Sequence, residues 1–149
     1  MLKTFYTAFQ QKDYAAMQAC YHPEANFSDP VFQNLDSKEV RTMWHMLCER
    51  GKDLQLKFDI LSESRVFWEA DYSFSKSGRM VNNKINASFE FKDDLIYLHK
   101  DDFNLWKWSG MALGPVGHLM GWAPFFQAKI RKTAMSGLYK FIQTHPEYQ

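Results

Sequence analysis

Cysteine is scarce in this sequence, and its distribution gives no sign of a disulfide framework. The chain has two cysteines, Cys20 and Cys48, whereas small secreted domains use several cysteines to compensate for a small core. We expect both thiols to be reduced, as in a cytoplasmic protein. Glycine and proline are also few, with seven and five residues, which excludes collagen-like and low-complexity chains.

The chain also lacks a surplus of charge of either sign. Its 18 basic and 17 acidic residues give a net charge of +1, so it has no global field that would attract nucleic acid. The charge is nevertheless uneven, because residues 105–149 carry five basic residues against a single acidic one, Glu147. We therefore predict a single domain over residues 1–149, in which residues 105–149 form a helical C-terminal extension.

No hydrophobic run is long enough to cross a bilayer. The most apolar stretch, residues 111–126, is interrupted by glycine and proline and falls short of the ~20 residues that a membrane span needs. The first residues, Met1 to Tyr6, lack the apolar run and cleavage site of a signal peptide. We expect neither a transmembrane segment nor a secretory leader.

Several motifs with a known chemistry are absent as well. There is no HExxH or CxxC spacing for a metal, no glycine-rich phosphate loop and no GxSxG elbow. We therefore predict no metal and no cofactor, and we expect neither serine-triad hydrolysis nor nucleotide binding. His45 lies beside the apolar stripe of a predicted helix, and we expect it at the surface.

What the sequence does have is apolar and aromatic residues, at 46% and 17% of the chain, enough for a folded core. Leu2, Phe5, Tyr6 and Phe9 follow the spacing of an amphipathic helix. A second short helix is predicted from Tyr14 to about Cys20. The third begins at Asp36, which forms a capping-box pattern with Glu39, and it ends at Gly51.

After Gly51 the hydrophobic period changes from that of a helix to that of a strand. Alternating apolar residues occur in four segments separated by short turns: residues 54–60, 68–74, 85–91 and 95–103. Such a series predicts an antiparallel meander with one face on a core. Helices followed by a sheet are typical of the α+β class.

Strand alternation stops at Leu105. A short helix around Trp106 is predicted to end at Gly114-Pro115, and a longer one to run from Pro124 to Thr144, with Pro124 in its first turn. The longer helix either packs back on the sheet or lies on a membrane surface.

The last strand places polar residues where its alternation predicts buried ones. Its odd positions are Leu95, Tyr97, His99, Asp101 and Phe103. A buried carboxylate or imidazole costs several kcal/mol unless it is paired or neutralised, so these two side chains need a hydrogen bond, a second titrating group or a ligand. If the even positions face the core instead, His99 and Asp101 are solvated.

Asp29 is a second candidate for a functional side chain, because it directly precedes Pro30 in a short extended segment. An aspartate in this context commonly forms an Asx-turn hydrogen bond. The alternative is that Asp29 is a functional carboxylate. The sequence alone does not distinguish this role from a role in the turn.

The order and spacing of these elements over residues 2–104 resemble the nuclear transport factor 2-like superfamily, and within it the SnoaL-like and ketosteroid isomerase-like proteins. The segment Glu24-Ala25-Asn26-Phe27-Ser28-Asp29-Pro30-Val31, the capped helix and the meander carry the resemblance. It implies a cone in which a curved antiparallel sheet wraps around the N-terminal helices and leaves an apolar pocket. It also implies a homodimer that associates through the sheet.

In ketosteroid isomerases the aspartate of the Asp-Pro-Val segment is the general base, and it matches Asp29. The two oxyanion donors of that family fall at Phe5 and Ala87, neither of which can donate from its side chain. The resemblance therefore argues against steroid isomerisation by that mechanism.

The segment His99-Lys100-Asp101-Asp102-Phe103-Asn104 resembles the corresponding strand of limonene-epoxide hydrolases. Their water-activating aspartate matches Asp101, while their asparagine and tyrosine fall at Asp29 and Phe27. Their Arg-x-Asp pair falls at Ala70 and Tyr72, next to Asp71, so the general acid is either missing or replaced by Tyr72. Residues 103–117 resemble SnoaL-like proteins with a helical extension, which suggests that Trp106, Trp108 and Trp122 narrow the pocket.

Two functions follow from these observations. In the first, an enzyme acts on a small, mainly apolar ring compound through Asp29 and Asp101, by isomerisation, cyclisation or epoxide hydrolysis. His99 or Tyr72 either orients this pair or donates a hydrogen bond to a developing oxyanion. In the second, the same pocket binds a ligand or a protein without catalysis. The expected ligand-binding residues are Phe5, Phe27, Trp44, Trp68, Ala87, Phe89, Tyr97, Phe103 and Trp106. A third interpretation, contact of the basic C-terminal helix with anionic lipid or nucleic acid, rests only on its modest charge.

Overall fold

The structure, a computed structural model, describes all residues from 1 to 149 and confirms the α+β class. In chain order, its elements are α1 (Leu2–Gln10), α2 (Tyr14–Ala19), β1 (Tyr21–Ser28), α3 (Ser37–Arg50), β2 (Gln55–Ser62), β3 (Arg65–Ser73), β4 (Met80–Lys92), β5 (Leu95–Asp102), α4 (Leu105–Leu113), α5 (Pro115–Met120), α6 (Pro124–Thr144) and a final 3₁₀ turn (Pro146–Tyr148). The boundaries of α3 and α6 agree with the prediction, whereas α5 was not predicted.

The curved sheet has the strand order β1-β5-β4-β3-β2. Strands β2 to β5 form the predicted antiparallel meander. The fifth strand, β1, is longer than the predicted extended segment and pairs with β5 in parallel. This one parallel pair places the end of β1, and with it Asp29, beside the end of β5.

The capping box of α3 forms as predicted. The Asp36 side chain accepts a hydrogen bond from the Glu39 backbone N–H at 2.9 Å, and the Glu39 side chain accepts one from the Asp36 N–H at 3.1 Å. These bonds satisfy two N–H groups that a helix start leaves free. The helix that they begin buries Val40, Met43 and Trp44.

Aromatic side chains hold α1, α3 and the sheet together. The Trp44 ring meets Phe5 and Phe9 edge to face, with ring centroids 5.6 and 5.1 Å apart. Phe9 packs on Trp68 of β3 in the same way, at 5.5 Å. Such edge-to-face pairs add about 0.5–1.5 kcal/mol each beyond the area they bury.

A β-bulge in β5 changes the predicted alternation. Ile96 pairs with Phe91 and Leu98 with Glu90, which leaves Tyr97 without a partner in β4. Because an extra residue reverses which side chains face the core, Ile96 and His99 are both buried, at 0% and 2% exposure. The predicted common face of the odd positions therefore holds for His99 and Asp101 but is wrong for Tyr97, which is half-buried.

In the C-terminal segment, α4 contacts the sheet at β4, whereas the long helix α6 packs on another helix. Helix α6 contacts α3, and its buried residues Leu138 and Phe141 face that helix and its neighbours. Arg131 donates a hydrogen bond to the Pro30 carbonyl at 2.9 Å. The interpretation that α6 packs back on the sheet is thus replaced by packing on α3. Neither α6 nor any shorter helix offers a stretch suited to span a membrane.

Helices α4 and α5 approach each other closely. A Cβ atom on Gly117 would overlap the Ser109 carbonyl oxygen, so only glycine permits this contact. Both cysteines are buried and free.

Candidate functional site

A cavity of about 450 Å³ lies between α3, the sheet, α4 and α6. Most of its wall is apolar, which suits a small hydrophobic molecule. Polar side chains interrupt that wall. Among them, Asp29 comes from the turn after β1, and Tyr72, Asn83 and Asp101 come from strands β3, β4 and β5. The two carboxylates singled out in the sequence therefore line one cavity.

Asp29 combines the Asx turn with a place in the cavity wall. Its Oδ1 atom accepts hydrogen bonds from the backbone N–H groups of Val31 and Phe32, at 2.7 and 2.6 Å. Its Oδ2 atom makes no hydrogen bond within the protein. The turn thus holds the carboxyl group in place through one oxygen and leaves the other without a hydrogen bond.

Burial raises the pKa of Asp29 from 3.8 to about 7. The negative charge of Asp101 contributes to this rise, while the two backbone hydrogen bonds oppose it. A group with a pKa near neutrality both donates and accepts a proton readily at physiological pH.

Asp101 stands at the end of a chain of buried hydrogen bonds. Trp44 Nε1–H donates to the Tyr21 hydroxyl oxygen at 2.8 Å, and that hydroxyl contacts His99 Nδ1 at 2.7 Å. His99 Nε2 contacts Asp101 Oδ1 at 2.9 Å. We call these four side chains the relay.

With a neutral imidazole at His99, one assignment of protons satisfies every member of the relay. The Trp44 indole can only donate, so the Tyr21 O–H is satisfied by donating to Nδ1 of His99. The proton of the neutral imidazole then lies on Nε2 and is donated to Asp101. Both ring nitrogens of His99 therefore have a hydrogen-bond partner. These hydrogen bonds offset the cost of burying His99 and Asp101, for which the sequence analysis required a partner.

A ring of aromatic residues encloses His99. Centroids of Phe89, Phe27 and Phe5 lie 4.2, 4.9 and 5.8 Å from that of the imidazole. Tyr6 is also buried close by, and its hydroxyl has no hydrogen-bond partner. Burial, and to a lesser degree the charge of Asp101, raises the pKa of Tyr6 well above its ordinary value.

Tyr72 presents a hydroxyl group in the cavity wall. Its oxygen accepts a hydrogen bond from Trp108 Nε1 at 2.8 Å, which leaves its own proton available. Burial raises the pKa of Tyr72, and the charge of Asp29 adds to the shift. The phenol therefore remains a donor over the physiological range.

The remaining predicted residues fall into two groups. Trp44, Trp68 and Phe103 line the cavity together with Asp29, Tyr72 and Asp101. His99 lies behind Asp101 and does not line the cavity. The other predicted residues outside the cavity wall are Phe5, Phe27, Ala87, Phe89, Tyr97 and Trp106.

Those outside the wall are displaced for different reasons. Four of them are core residues packed around the relay or beside it, namely Phe5, Phe27, Ala87 and Phe89. Tyr97 is turned away by the bulge. Trp106 is 49% exposed and donates to the His118 carbonyl, while Trp108 takes the place in the wall and Trp122 is exposed.

The sequence analysis missed Tyr21 and Asn83. Tyr21 directly follows the predicted helix that ends at about Cys20 and was assigned no role, whereas in the structure it begins β1. Asn83 has the same parity in β4 as the apolar residues Ile85, Ala87 and Phe89, and extending that alternation towards the N-terminus would have identified it. Its side chain makes no hydrogen bond within the protein and is free for a ligand.

The comparisons with known proteins agree with this fold. A family profile described as a SnoaL-like domain matches residues 2–99. Among solved structures, a protein from Xanthomonas campestris pv. campestris assigned as a polyketide cyclase superposes with a TM-score of 0.58 at 17% identity, covering 74% of this chain and 92% of that one. Comparison with curated proteins found no match.

Two further structures are similar. An LEH-like epoxide hydrolase from M. tuberculosis has a TM-score of 0.55 at 17% identity, covering 79% of this chain and 91% of that one. An NTF2-like protein of unknown function from Cytophaga hutchinsonii has a TM-score of 0.54 at 17% identity, covering 68% of this chain and 95% of that one. At these identities the likeness establishes the fold alone.

Proposed function

Because the chain belongs to the SnoaL-like family, we propose that its cavity binds a small, mainly apolar cyclic molecule and performs acid–base chemistry on it. The observation that carries the proposal is the presence of Asp29 and Asp101 in the wall of one largely apolar cavity. The similarity in fold to an epoxide hydrolase and to a protein assigned as a polyketide cyclase supports it.

The two carboxyl groups have different environments, which suits them to opposite roles. Asp101 accepts the Nε2–H of His99, so it acts in its carboxylate form as the base. Asp29, with a pKa of about 7, carries a proton in part of the molecules at neutral pH and acts as the acid. This division follows the general rule that neighbouring titratable groups with separated proton affinities serve as an acid and a base.

The other polar groups assist without exchanging a proton. The Tyr72 hydroxyl donates a hydrogen bond to an oxygen on which negative charge develops. His99 does not reach the cavity and is a positioning residue, because it fixes the orientation of Asp101. Three reactions are compatible with this set: proton transfer next to a carbonyl group, aldol-type cyclisation, and opening of an epoxide by a water molecule that Asp101 activates.

Basic side chains indicate an acidic substituent on the substrate. Arg50, Lys76 and Lys129 also line the cavity, and none of them forms an ion pair with a carboxylate of the protein. A ligand with a carboxylate or phenolate group on an apolar ring would pair with them and leave the ring in the apolar part of the cavity.

The test uses ring-fused cyclohexanones and cyclohexene oxides, each as a neutral compound and with a carboxylate substituent. Deuterium uptake next to the ketone in D₂O reports proton abstraction, and diol formation reports epoxide opening. We expect the carboxylate-bearing member of an active pair to bind more tightly. Asp101→Asn and Asp29→Asn keep the oxygens that accept the observed hydrogen bonds, so they test chemistry without removing these contacts.

Loss of turnover by a factor of about 10²–10⁴ in each variant, with binding retained, supports the proposal. Equal turnover in the parent protein and Asp101→Asn overturns the role of Asp101. The alternative, a non-catalytic binding module, is favoured by Phe5 and Ala87 at the positions of the oxyanion donors. It is supported if a tightly bound compound is recovered unchanged by the parent protein and both variants bind it equally well.

A further inference from the structure

A second cluster of titratable side chains lies outside the cavity, where the C-terminal end of α6 meets α3. His45 and Glu49 are one helical turn apart on α3, and His145 directly follows α6. The expectation that His45 lies at the surface is wrong, because α6 and the final 3₁₀ turn cover it to 6% exposure. We call this place the seam.

The three side chains of the seam converge on one point. Nε2 of His45 lies 3.5 Å, and Nε2 of His145 3.8 Å, from Oε2 of Glu49. One ligand atom from each residue lies within 4.8 Å of the other two. Ligand atoms around a tetrahedral zinc ion are roughly 3.3 Å apart, given bonds of about 2.0–2.1 Å. Small side-chain rotations would therefore bring the seam to metal-binding geometry.

The opposite nitrogen of each imidazole is already held. Nδ1 of His145 contacts the Phe141 carbonyl oxygen at 2.8 Å, and a carbonyl can only accept, so that nitrogen carries the proton. Nδ1 of His45 contacts the Tyr148 hydroxyl at 2.8 Å, and Gln18 donates to the same hydroxyl. The hydrogen bond from Nδ1 of His145 orients its ring and frees Nε2, as in the usual outer contact of a metal-binding histidine, and the Tyr148 hydroxyl oxygen is able to accept the same bond from His45.

Packing further restricts both rings. His45 stacks on Tyr14 and His145 on Phe141, each with ring centroids 3.7 Å apart. The seam is thus preorganised on two sides, while Glu49 remains accessible from solvent with 55% of its side chain exposed.

We propose that His45, Glu49 and His145 bind one divalent transition-metal ion of the zinc class, with water as the fourth ligand, and that the ion fastens the end of α6 to α3. Imidazole and carboxylate ligands suit zinc and nickel, whereas magnesium prefers a set of oxygen ligands. Helix α6 also supplies Lys129, Ile130 and Thr133 to the cavity wall, so the metal would stabilise one wall of the cavity. The proposal does not depend on the proposed function.

The experiment measures zinc binding by isothermal titration calorimetry, using the full chain with its affinity tag removed and its metal stripped by chelator. We expect one zinc ion per chain and no binding of magnesium. Glu49→Gln and His145→Gln remove a ligand each from partly exposed positions, and we expect each to weaken binding at least tenfold. The matched controls Glu63→Gln and His118→Gln remove an exposed carboxylate and an exposed histidine outside the seam, and should bind as the parent does.

Thermal unfolding provides the second readout. Zinc should raise the midpoint of the parent and both controls but not that of Glu49→Gln or His145→Gln, because only a ligand that binds the native state stabilises it. The proposal is overturned if zinc binds the parent with a dissociation constant weaker than about 100 μM. It is equally overturned if the seam variants bind zinc as tightly as the controls, or if magnesium binds as well as zinc.

Discussion

The relay and the seam both contain buried histidines packed against aromatic rings, yet they differ in how many ring nitrogens are satisfied. His99 of the relay has short contacts at both nitrogens, 2.7 Å to Tyr21 and 2.9 Å to Asp101. In the seam, the Nε2 atoms of His45 and His145 stand 3.5 and 3.8 Å from Glu49, beyond the usual hydrogen-bond range. A fully bonded imidazole can only orient its neighbours, whereas one with a free nitrogen can bind a ligand.

The largest expected difference between the two regions is in stability. His99→Leu leaves the hydroxyl of Tyr21 and the carboxylate of Asp101 buried without their partner, so we expect a loss of about 3 kcal/mol or more in the free energy of unfolding. His145→Leu in metal-free protein should cost about 1 kcal/mol or less, because that ring is partly exposed. Urea denaturation measures both, and losses of equal size would contradict the comparison.

The next prediction concerns the charge at the end of the relay. Since the charge of Asp101 raises the pKa of Asp29, Asp101→Asn should lower that pKa from about 7 towards its ordinary value. Carbon-detected NMR titration of the Asp29 side-chain carboxyl measures this directly. Glu49→Gln is the control from the seam and should leave the pKa of Asp29 unchanged. An unchanged value in Asp101→Asn would show that the two carboxyl groups do not interact.

The same carboxyl group predicts a pH dependence of stability. Its pKa is 3.8 in an unfolded chain and about 7 in the native state, so between these values the native state holds a proton that the unfolded chain has released. The contribution of Asp29 to stability is therefore present below about pH 4 and is lost as the pH rises to about 7. Asp29→Asn should flatten the stability profile in this window relative to the parent, as followed by urea denaturation at each pH. Identical profiles would exclude the raised pKa.

The smallest effect concerns the seam alone. Zinc should slow amide hydrogen exchange in the last turns of α6 and around His45, where the metal would join two helices. Exchange in β5, which carries the relay, should stay the same. Mass spectrometry of peptides from the two regions measures this, and uniform slowing throughout the chain would show that zinc acts elsewhere.

Local signals explain which parts of the fold could be predicted. The capping box at Asp36 and Glu39 places α3, and the period-two alternation after Gly51 places the meander, because both depend on residues close in sequence. The relay could be predicted only in part: alternation identified His99 and Asp101, but Tyr21 reaches them through a parallel pairing between β1 and β5. No local pattern encodes such a pairing between distant segments.

The bulge and the seam were hidden for similar reasons. The extra residue at Tyr97 is visible only once β4 and β5 are paired, and it decides which aromatic side chain of β5 turns away from the core. His45 and Glu49 have a helical spacing that many surface pairs share. Their third partner, His145, becomes adjacent only because α6 packs on α3.

Helix α6 closes one side of a cavity whose carboxylates both come from earlier in the chain. Under the proposed function, the residues that perform the chemistry and those that shape the wall thus occupy separate stretches of sequence. Substitutions on the inner face of α6, at Ile130, Thr133 or Ala134, can therefore alter which molecules fit while leaving the acid–base pair intact. For enzyme engineering, this helix is the place to diversify selectivity without rebuilding the reaction centre.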